Sequence, residues 1–298
     1  MEVICALAKL NLVQTQDTSE YYSSLPVPQE IPIVIRPTPN DPPWSSPLAI
    51  AAWVTSVFLI LLLPSLFLLP YLATLEPRIE ETSALIEFAK SDKTAIFLQI
   101  LAIIPAQILT LLFSWFIVTR GRRYPFREML GWEDGGIRWW QYVVFLIGFL
   151  AIAAVVSTVA PEQDNDLIRI LKSSRATLYA VAFIATFMAP VVEEVIYRGL
   201  LYSAFQRTFG VPVAFVSVTL LFALVHVPQY YPSYSTIFLL TLLSVALTAL
   251  RARSRNLLPC IILHTLFNGL QSAMILAEAH YGHSLTPDPV GAILWFVK

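Results

Sequence analysis

The sequence predicts an all-α membrane protein, a polytopic bundle of about seven transmembrane helices around a buried polar cavity. Of its 298 residues, 57% are hydrophobic and only 13% are charged, with a mean hydropathy of +0.68. Soluble globular domains are about 45–50% apolar and about 25% charged, so both values indicate an integral membrane protein. Long apolar segments, some with polar residues inside them, complete the evidence for this fold class.

Charge and cysteine content exclude several other classes of protein. The formal net charge is -1, so the overall electrostatics do not indicate a nucleic-acid partner. The expected surroundings are the lipid bilayer. The two cysteines, Cys5 and Cys260, are far apart and predict neither a disulfide framework nor a cysteine-based metal site.

The first 45 residues predict a flexible, proline-rich arm. The stretch LPVPQEIPIVIRPTPNDPPWSSP has no helical periodicity, and its proline content favours an extended or disordered chain. The transmembrane domain is predicted to follow at residues 46–279, with a short C-terminal tail at 280–298.

Seven segments are long and apolar enough to cross a bilayer, which requires about 20 residues in a helix. They are predicted at residues 48–72, 94–118, 139–159, 177–204, 212–228, 234–250 and 257–279.

The basic residues predict the orientation of this bundle. Eleven of them fall on the side of the N-terminus, in the arm and the even-numbered loops, and seven fall on the opposite side. Arg251, Arg253 and Arg255 are counted here as residues of the sixth loop. The positive-inside rule therefore predicts a multi-pass protein with its N-terminus in the cytoplasm.

The fourth predicted span carries three charges, Glu193, Glu194 and Arg198, within the stretch APVVEEVIYRG. On insertion scales these charges cost roughly 8–10 kcal/mol. The eleven Leu, Ile, Val and Phe residues of 178–201 favour insertion by only about 3–7 kcal/mol on the same scale. The helix must therefore face a protein interior or a wet cavity.

The two glutamates have different neighbours along this helix. Glu194 and Arg198 are four residues apart, with the glutamate on the N-terminal side, so they can pair on one face. Glu193 is rotated by about 100° and shares its face with Tyr197 instead. We therefore expect Glu194 to be structural and Glu193 to be free to act.

Two of the four histidines lie in predicted spans. His226 follows Phe222 by four residues, and His264 precedes Asn268 by four, which places each pair on one helical face. A lone His or Asn in a span more often bonds to a neighbouring helix, and a lone Glu–Arg pair can be a packing lock. A spare carboxylate at Glu193, two imidazoles and an amide together favour a chemical site.

The motifs EExxxR, FxxxH and HxxxN in this order resemble the CPBP or Abi family of intramembrane endopeptidases. That family includes the type II CAAX prenyl proteases and bacteriocin-processing or immunity proteins. The resemblance covers residues 177–279 and implies a helical membrane core that encloses a hydrophilic cavity.

The resemblance also implies a role for each motif residue. Glu193 would be the general base, and His226 would bind or polarise the attacking water. His264 and Asn268 would hold the scissile carbonyl and its developing oxyanion. The supporting residues would be Glu194, Arg198, Tyr197 and Phe222.

The sequence leaves the cofactor and the substrate open. Glu193, His226 and His264 could complete a zinc site with an open position, or the same residues could activate water without a metal. The expected partner is a peptide or protein substrate, with or without a prenyl group.

Two other functions remain as alternatives to a protease. One is a catalytically idle membrane scaffold or immunity-type protein. The other is a proton-coupled transporter, since buried Glu, His and Arg also mark proton relays. The absence of an inverted repeat argues against the transporter.

Overall fold

A computed structural model describes residues 36–76, 79 and 81–281, and these residues form helices without a β-sheet. Their single extended pairing is an isolated bridge between Thr38 and Asp41. Most of the predicted arm, up to residue 35, and the predicted tail from 282 onward lie outside the described residues. All of the helices belong to one contact unit, which begins at Pro37.

Ten helices follow one another along the described part of the chain. In order they are α1 (Ser46–Leu72), α2 (Thr82–Ser91), α3 (Lys93–Thr119), α4 (Phe126–Leu130), α5 (Trp139–Val159), α6 (Asp166–Ser173), α7 (Arg175–Phe209), α8 (Val211–Tyr230), α9 (Tyr234–Ser254) and α10 (Leu258–Tyr281). Seven of them are long and apolar enough to cross a membrane, namely α1, α3, α5, α7, α8, α9 and α10. This confirms the predicted fold class and a multi-pass membrane protein.

Helix α7 is not a regular α-helix. Two π-helical segments, Ile184–Met188 and Val195–Leu201, flank a short α-helical segment, Ala189–Glu194. Pro190 lacks an amide hydrogen and its ring clashes with the carbonyl four residues earlier, so a regular helix is strained at this point. Wider π turns relieve such a clash and occur often at functional sites.

Helix α7 is also the central element of the bundle. It packs against α1, α3, α8 and α10, whereas α5 makes its main contact with α9. The largest buried cluster contains the α7 residues Leu200, Leu201 and Tyr202 together with residues of α1, α3 and α8. The charged helix is therefore the one with protein on most sides.

The chain just before α1 is part of this packing. Trp44 is buried and its indole Nε1–H donates to the carbonyl of Leu200 at 3.1 Å. Arg207 donates in turn to the carbonyl of Trp44 at 2.9 Å. Trp44, which falls within the predicted arm of residues 1–45, is thus packed against α7.

Candidate functional site

The bundle encloses a cavity of about 850 Å³ between its helices. Its wall is mostly apolar, and most of the helices also contribute polar side chains to it. The cavity brings together all four residues of the predicted site: Glu193 of α7, His226 of α8, and His264 and Asn268 of α10.

Glu194 connects two of the predicted residues through one oxygen. Its side chain is fully buried, and its Oε1 accepts a hydrogen bond from Nη1 of Arg198 at 2.9 Å. The same Oε1 lies 2.8 Å from Nδ1 of His264. Glu194 is therefore paired with Arg198, as the four-residue spacing predicts, and it also orients the histidine of α10.

This contact determines the tautomer of His264. An ionised carboxylate can only accept hydrogen bonds, so Nδ1 of the imidazole carries the hydrogen. The Nε2 atom of the neutral ring is then an acceptor, and it lies 3.9 Å from Oε2 of Glu193. Two acceptor atoms, one from Glu193 and one from His264, thus lie close together at the cavity wall.

Exposure separates the two neighbouring glutamates. The side chain of Glu193 is 25% exposed and borders the cavity, whereas that of Glu194 is 0% exposed. No described residue donates a hydrogen bond to Glu193. One carboxylate is therefore accessible from the cavity and the other is held by the protein.

His226 is oriented by its own helix. Its Nδ1 lies 2.7 Å from the backbone carbonyl of Phe222, one turn earlier, so Nδ1 donates and Nε2 remains an acceptor. The rings of Phe222 and His226 lie 4.8 Å apart. The four-residue spacing of FxxxH therefore positions this imidazole through both a carbonyl and a ring.

Asn268 uses one of its donors on α7. Its Nδ2 donates to the carbonyl of Ala185 at 2.9 Å. Ala185 lies in the first π-helical segment, where the widened turn leaves a carbonyl available. The second hydrogen of the amide remains for another acceptor in the cavity.

Two hydroxyl residues of α9 complete the surroundings of Arg198. Its Nη2 donates to the side chain and the carbonyl of Ser244 at 2.9 and 3.1 Å, and its Nε donates to Thr248 at 3.4 Å. The guanidinium also lies over the ring of Phe222, 4.7 Å from its centre. Two hydroxyls four residues apart in an apolar span are the sequence signal that could have identified Ser244 and Thr248.

Tyr197 and Trp53 form a second contact that the sequence analysis missed in part. The indole of Trp53 donates to the Tyr197 hydroxyl at 3.1 Å, which links α1 to α7. The Tyr197 ring packs edge-on against Phe222 at 5.0 Å. Tyr197 and Phe222, both predicted to support the site, thus join α7 to α8.

The prediction that Arg251 belongs to a loop is wrong. It is fully buried in the last turn of α9, where its guanidinium donates to Ser203, to the carbonyl of Arg198 and to the chain at Pro39 and Asn40. The apolar segment ends at residue 250. Because the protein supplies hydrogen-bond partners for the Arg251 guanidinium, the helix continues to Ser254.

Binding of a metal by Glu193, His226 and His264 stays a prediction. Both imidazoles hold their Nδ1 hydrogens as ligand histidines commonly do. Within the described residues, however, no group of three or more His, Cys, Asp and Glu side chains could hold a metal ion. Glu193, His226 and His264 nevertheless line the same cavity.

The cavity extends to one end of the bundle. Its lining reaches Glu162, in the connection between α5 and α6, and the last turns of α8 and α10. Burial raises the pKa of the Glu162 carboxyl above its ordinary value, while hydrogen bonds from Thr236 and Asn165 lower it. The lining contains none of the described residues in the arginine-rich connection at 120–138 or in the connection at 255–257.

Comparison with known proteins identifies the part of the chain that carries this site. Searches of the curated proteins and of the solved structures found no significant match. The family model described as "Type II CAAX prenyl endopeptidase Rce1-like" matches residues 175–270. That segment runs from the start of α7 into α10 and contains all four cavity residues of the predicted site. Residues 175–270 of this chain therefore form a domain of the Rce1-like type II CAAX prenyl endopeptidase family.

Proposed function

We propose that the protein is an intramembrane endopeptidase in which Glu193 activates a water molecule to hydrolyse a peptide bond. The observation that carries the proposal is the pair formed by Glu193 and His264, whose Oε2 and Nε2 atoms lie 3.9 Å apart at the cavity wall. The match of residues 175–270 to a family of endopeptidases supports the same reaction class.

The two acceptor atoms are suited to hold a water. A single water can donate one hydrogen to the carboxylate of Glu193 and the other to Nε2 of His264, since the two atoms are too far apart to bond directly. Its lone pairs then remain free for attack on a carbonyl carbon. Because this water has then used both of its hydrogens, Nε2 of His226 is left to accept a hydrogen bond from a second water or from a substrate N–H in the cavity.

Proton transfer follows from this arrangement. Glu193 takes a proton from the water while the water oxygen forms a bond to the carbonyl carbon. The carbonyl oxygen of the substrate becomes an oxyanion. The remaining amide hydrogen of Asn268 stabilises that oxyanion. The C–N bond then breaks as Glu193 returns the proton to the leaving amine, which regenerates the carboxylate.

His264 plays a different part here from the one that the resemblance implies. In the tautomer set by Glu194, its Nε2 accepts a hydrogen bond from water and does not donate to an oxyanion. It becomes a donor only after it has gained a proton. The steps above use only the side chains of this chain.

The test of the proposal is peptide hydrolysis by purified protein in detergent. Two internally quenched peptides serve as substrates, one with a farnesylated cysteine near its C-terminus and one identical but unfarnesylated. Glu193→Gln should reduce turnover by about 10²–10⁴-fold, the usual contribution of a general base, without a change in melting temperature. The comparison of the two peptides shows whether a prenyl group is required.

Glu194→Gln is the matched control, because it changes the neighbouring carboxylate in the same way. It weakens the pairing of Arg198 and the orientation of His264, so it should lower the melting temperature as well as the activity. If Glu193→Gln stays active while Glu194→Gln is folded and inactive, the base is Glu194. Full activity in both variants would show that neither glutamate is the base and would overturn the proposal. No activity of the wild type with either peptide would leave the idle scaffold as the better explanation.

We also propose that the N-terminus is cytoplasmic, on the basis of the arginine-rich loops. The end of the cavity near Glu162 then faces away from the cytoplasm, and substrate enters from that side or laterally from the bilayer. With Cys5 replaced by serine, an impermeant thiol reagent on intact cells should label Asp164→Cys and not Arg253→Cys. The reverse pattern would show that the orientation is inverted.

A further inference from the structure

A second polar group borders the same cavity, on a helix outside the matched segment. Gln107 lies in the middle of α3, is only 5% exposed and lines the cavity. Its Oε1 atom is buried and has no hydrogen-bond partner among the described residues. A buried amide oxygen without a partner destabilises a fold, so the Oε1 atom of Gln107 is poorly explained by a structural role.

Gln99, on the same helix, shows what a structural glutamine looks like in this protein. Its Nε2 donates to the carbonyls of Ala89 and Ala95 at 2.8 and 3.1 Å, which ties α3 to α2. Gln99 does not appear among the described residues that line the cavity. The two glutamines therefore differ in both partners and surroundings.

We propose that Gln107 binds the backbone of the substrate in the cavity. A carboxamide offers both an acceptor and donors, which matches the N–H and C=O groups that a peptide chain presents. A peptide drawn into a mostly apolar cavity must find partners for these groups, because water no longer supplies them. The ligand class is thus an extended peptide segment, recognised through its main chain.

The position of α3 agrees with this role. The helix packs against the segment of α7 that carries Glu193, so Gln107 and the proposed base belong to neighbouring helices around one cavity. Gln107 is then a substrate-binding residue that positions the peptide chain, while Glu193 acts on the scissile bond. This inference rests on the proposed peptidase function.

The experiment replaces Gln107 with methionine, which keeps the length of the side chain and removes its polar atoms. With the quenched peptide that the wild type cleaves, Gln107→Met should lower kcat/KM by about 5- to 150-fold, because one backbone group of the bound substrate is left unpaired. The melting temperature should stay the same or rise, since the variant removes a buried group that has no partner. Gln107→Leu provides a second variant if the methionine protein does not fold.

A second measurement compares kcat/KM for a set of substrates, each with one ester bond in place of an amide. A purely structural role of Gln107 would not change the effect of these replacements. The ester that replaces the amide whose N–H donates to Gln107 should lower kcat/KM of the wild type. The same ester should have little further effect on kcat/KM of Gln107→Met. The matched control is Gln99→Met, which should lower the melting temperature and retain kcat/KM in the remaining folded protein.

The outcomes separate this inference from the proposed function. If the wild type cleaves the peptide and Glu193→Gln does not, but Gln107→Met keeps kcat/KM within twofold, the assignment of Gln107 is wrong and the protease proposal stands. A fall in melting temperature of Gln107→Met as large as that of Gln99→Met would also overturn it. Absence of any cleavage by the wild type removes the proposed function, and this inference with it.

Discussion

Helices α5 and α7 are both long enough to cross a membrane, yet they differ in how much of each is buried in protein and in how much charge each carries. Of the apolar core of α5, 6% is buried in the protein, against 39% for α7. Helix α5 has no charged residue within Trp139–Val159, whereas α7 carries Glu193, Glu194 and Arg198 near its middle. Lipid can therefore surround α5, while α7 needs protein on most sides.

The difference shows how this protein accommodates charge at membrane depth. Arg198 is surrounded by Glu194, Ser244, Thr248 and the ring of Phe222, so its hydrogen bonds are made within the bundle. The charges that oppose insertion of α7 thereby hold α8, α9 and α10 around it. The carboxylate left outside this network, Glu193, is the one that borders the cavity.

The largest effect is expected for insertion of the two helices alone. In a glycosylation-based insertion assay, the isolated α5 segment should insert fully and residues 178–201 of α7 should insert poorly. Replacing Glu193, Glu194 and Arg198 with leucine removes roughly 8–10 kcal/mol of unfavourable free energy, so the α7 segment should then insert like α5. Equal insertion of the two unmodified segments would contradict the view that the charges of α7 prevent its insertion without the rest of the bundle.

A smaller effect is expected for loss of the buried arginine in the folded protein. Arg198→Ala leaves Glu194 with His264 as its partner in a buried site, so it should destabilise the fold by about 3–5 kcal/mol. Thermal unfolding in detergent measures this change. Arg253→Ala, at an exposed arginine of α9, serves as the control and should leave the melting temperature unchanged. Equal stability of both variants would show that the network around Arg198 is not structural.

The smallest effect concerns one hydrogen bond of this network. Ser244→Ala removes one of the two acceptors that Ser244 offers to Arg198, and a hydrogen bond to a charged group contributes about 1.5–3 kcal/mol. The control is Ser157→Ala in α5, whose hydroxyl donates to the carbonyl of Ala154 in the same helix. Thermal unfolding should show a clear loss of stability for Ser244→Ala and little for Ser157→Ala. A loss as large for Ser157→Ala would mean that α5 depends on polar contacts as α7 does.

The spans could be predicted because apolarity and length are local properties. The predicted segment 139–159 coincides with α5, which is mostly apolar and uncharged along its whole length. The predicted end of the sixth span at 250 failed because Arg251 finds partners in Pro39, Asn40 and Ser203, which lie far away in the chain. A rule based on local hydropathy places every arginine in water. Only the folded structure shows that an arginine such as Arg251 has buried hydrogen-bond partners.

The site could be predicted where its geometry lies within one helix. The pairing of Glu194 with Arg198 and the contact of His226 with Phe222 both follow from a separation of four residues, which is one helical turn. The bond from Glu194 to His264 joins residues 70 apart, and no periodicity relates them.

By itself, the sequence determined that this chain is a multi-pass helical membrane protein, and its motifs indicated which charged and polar residues belong together. These results follow from the transfer of side chains to lipid and from the 3.6-residue period of the helix, and both can be read along the chain. The tertiary structure decided which oxygen orients His264, that a carbonyl in a π turn of α7 accepts from Asn268, and that Gln107 borders the cavity with its Oε1 atom unpaired. Those features depend on atoms of different helices lying within about 3–4 Å of one another, and packing alone brings them together.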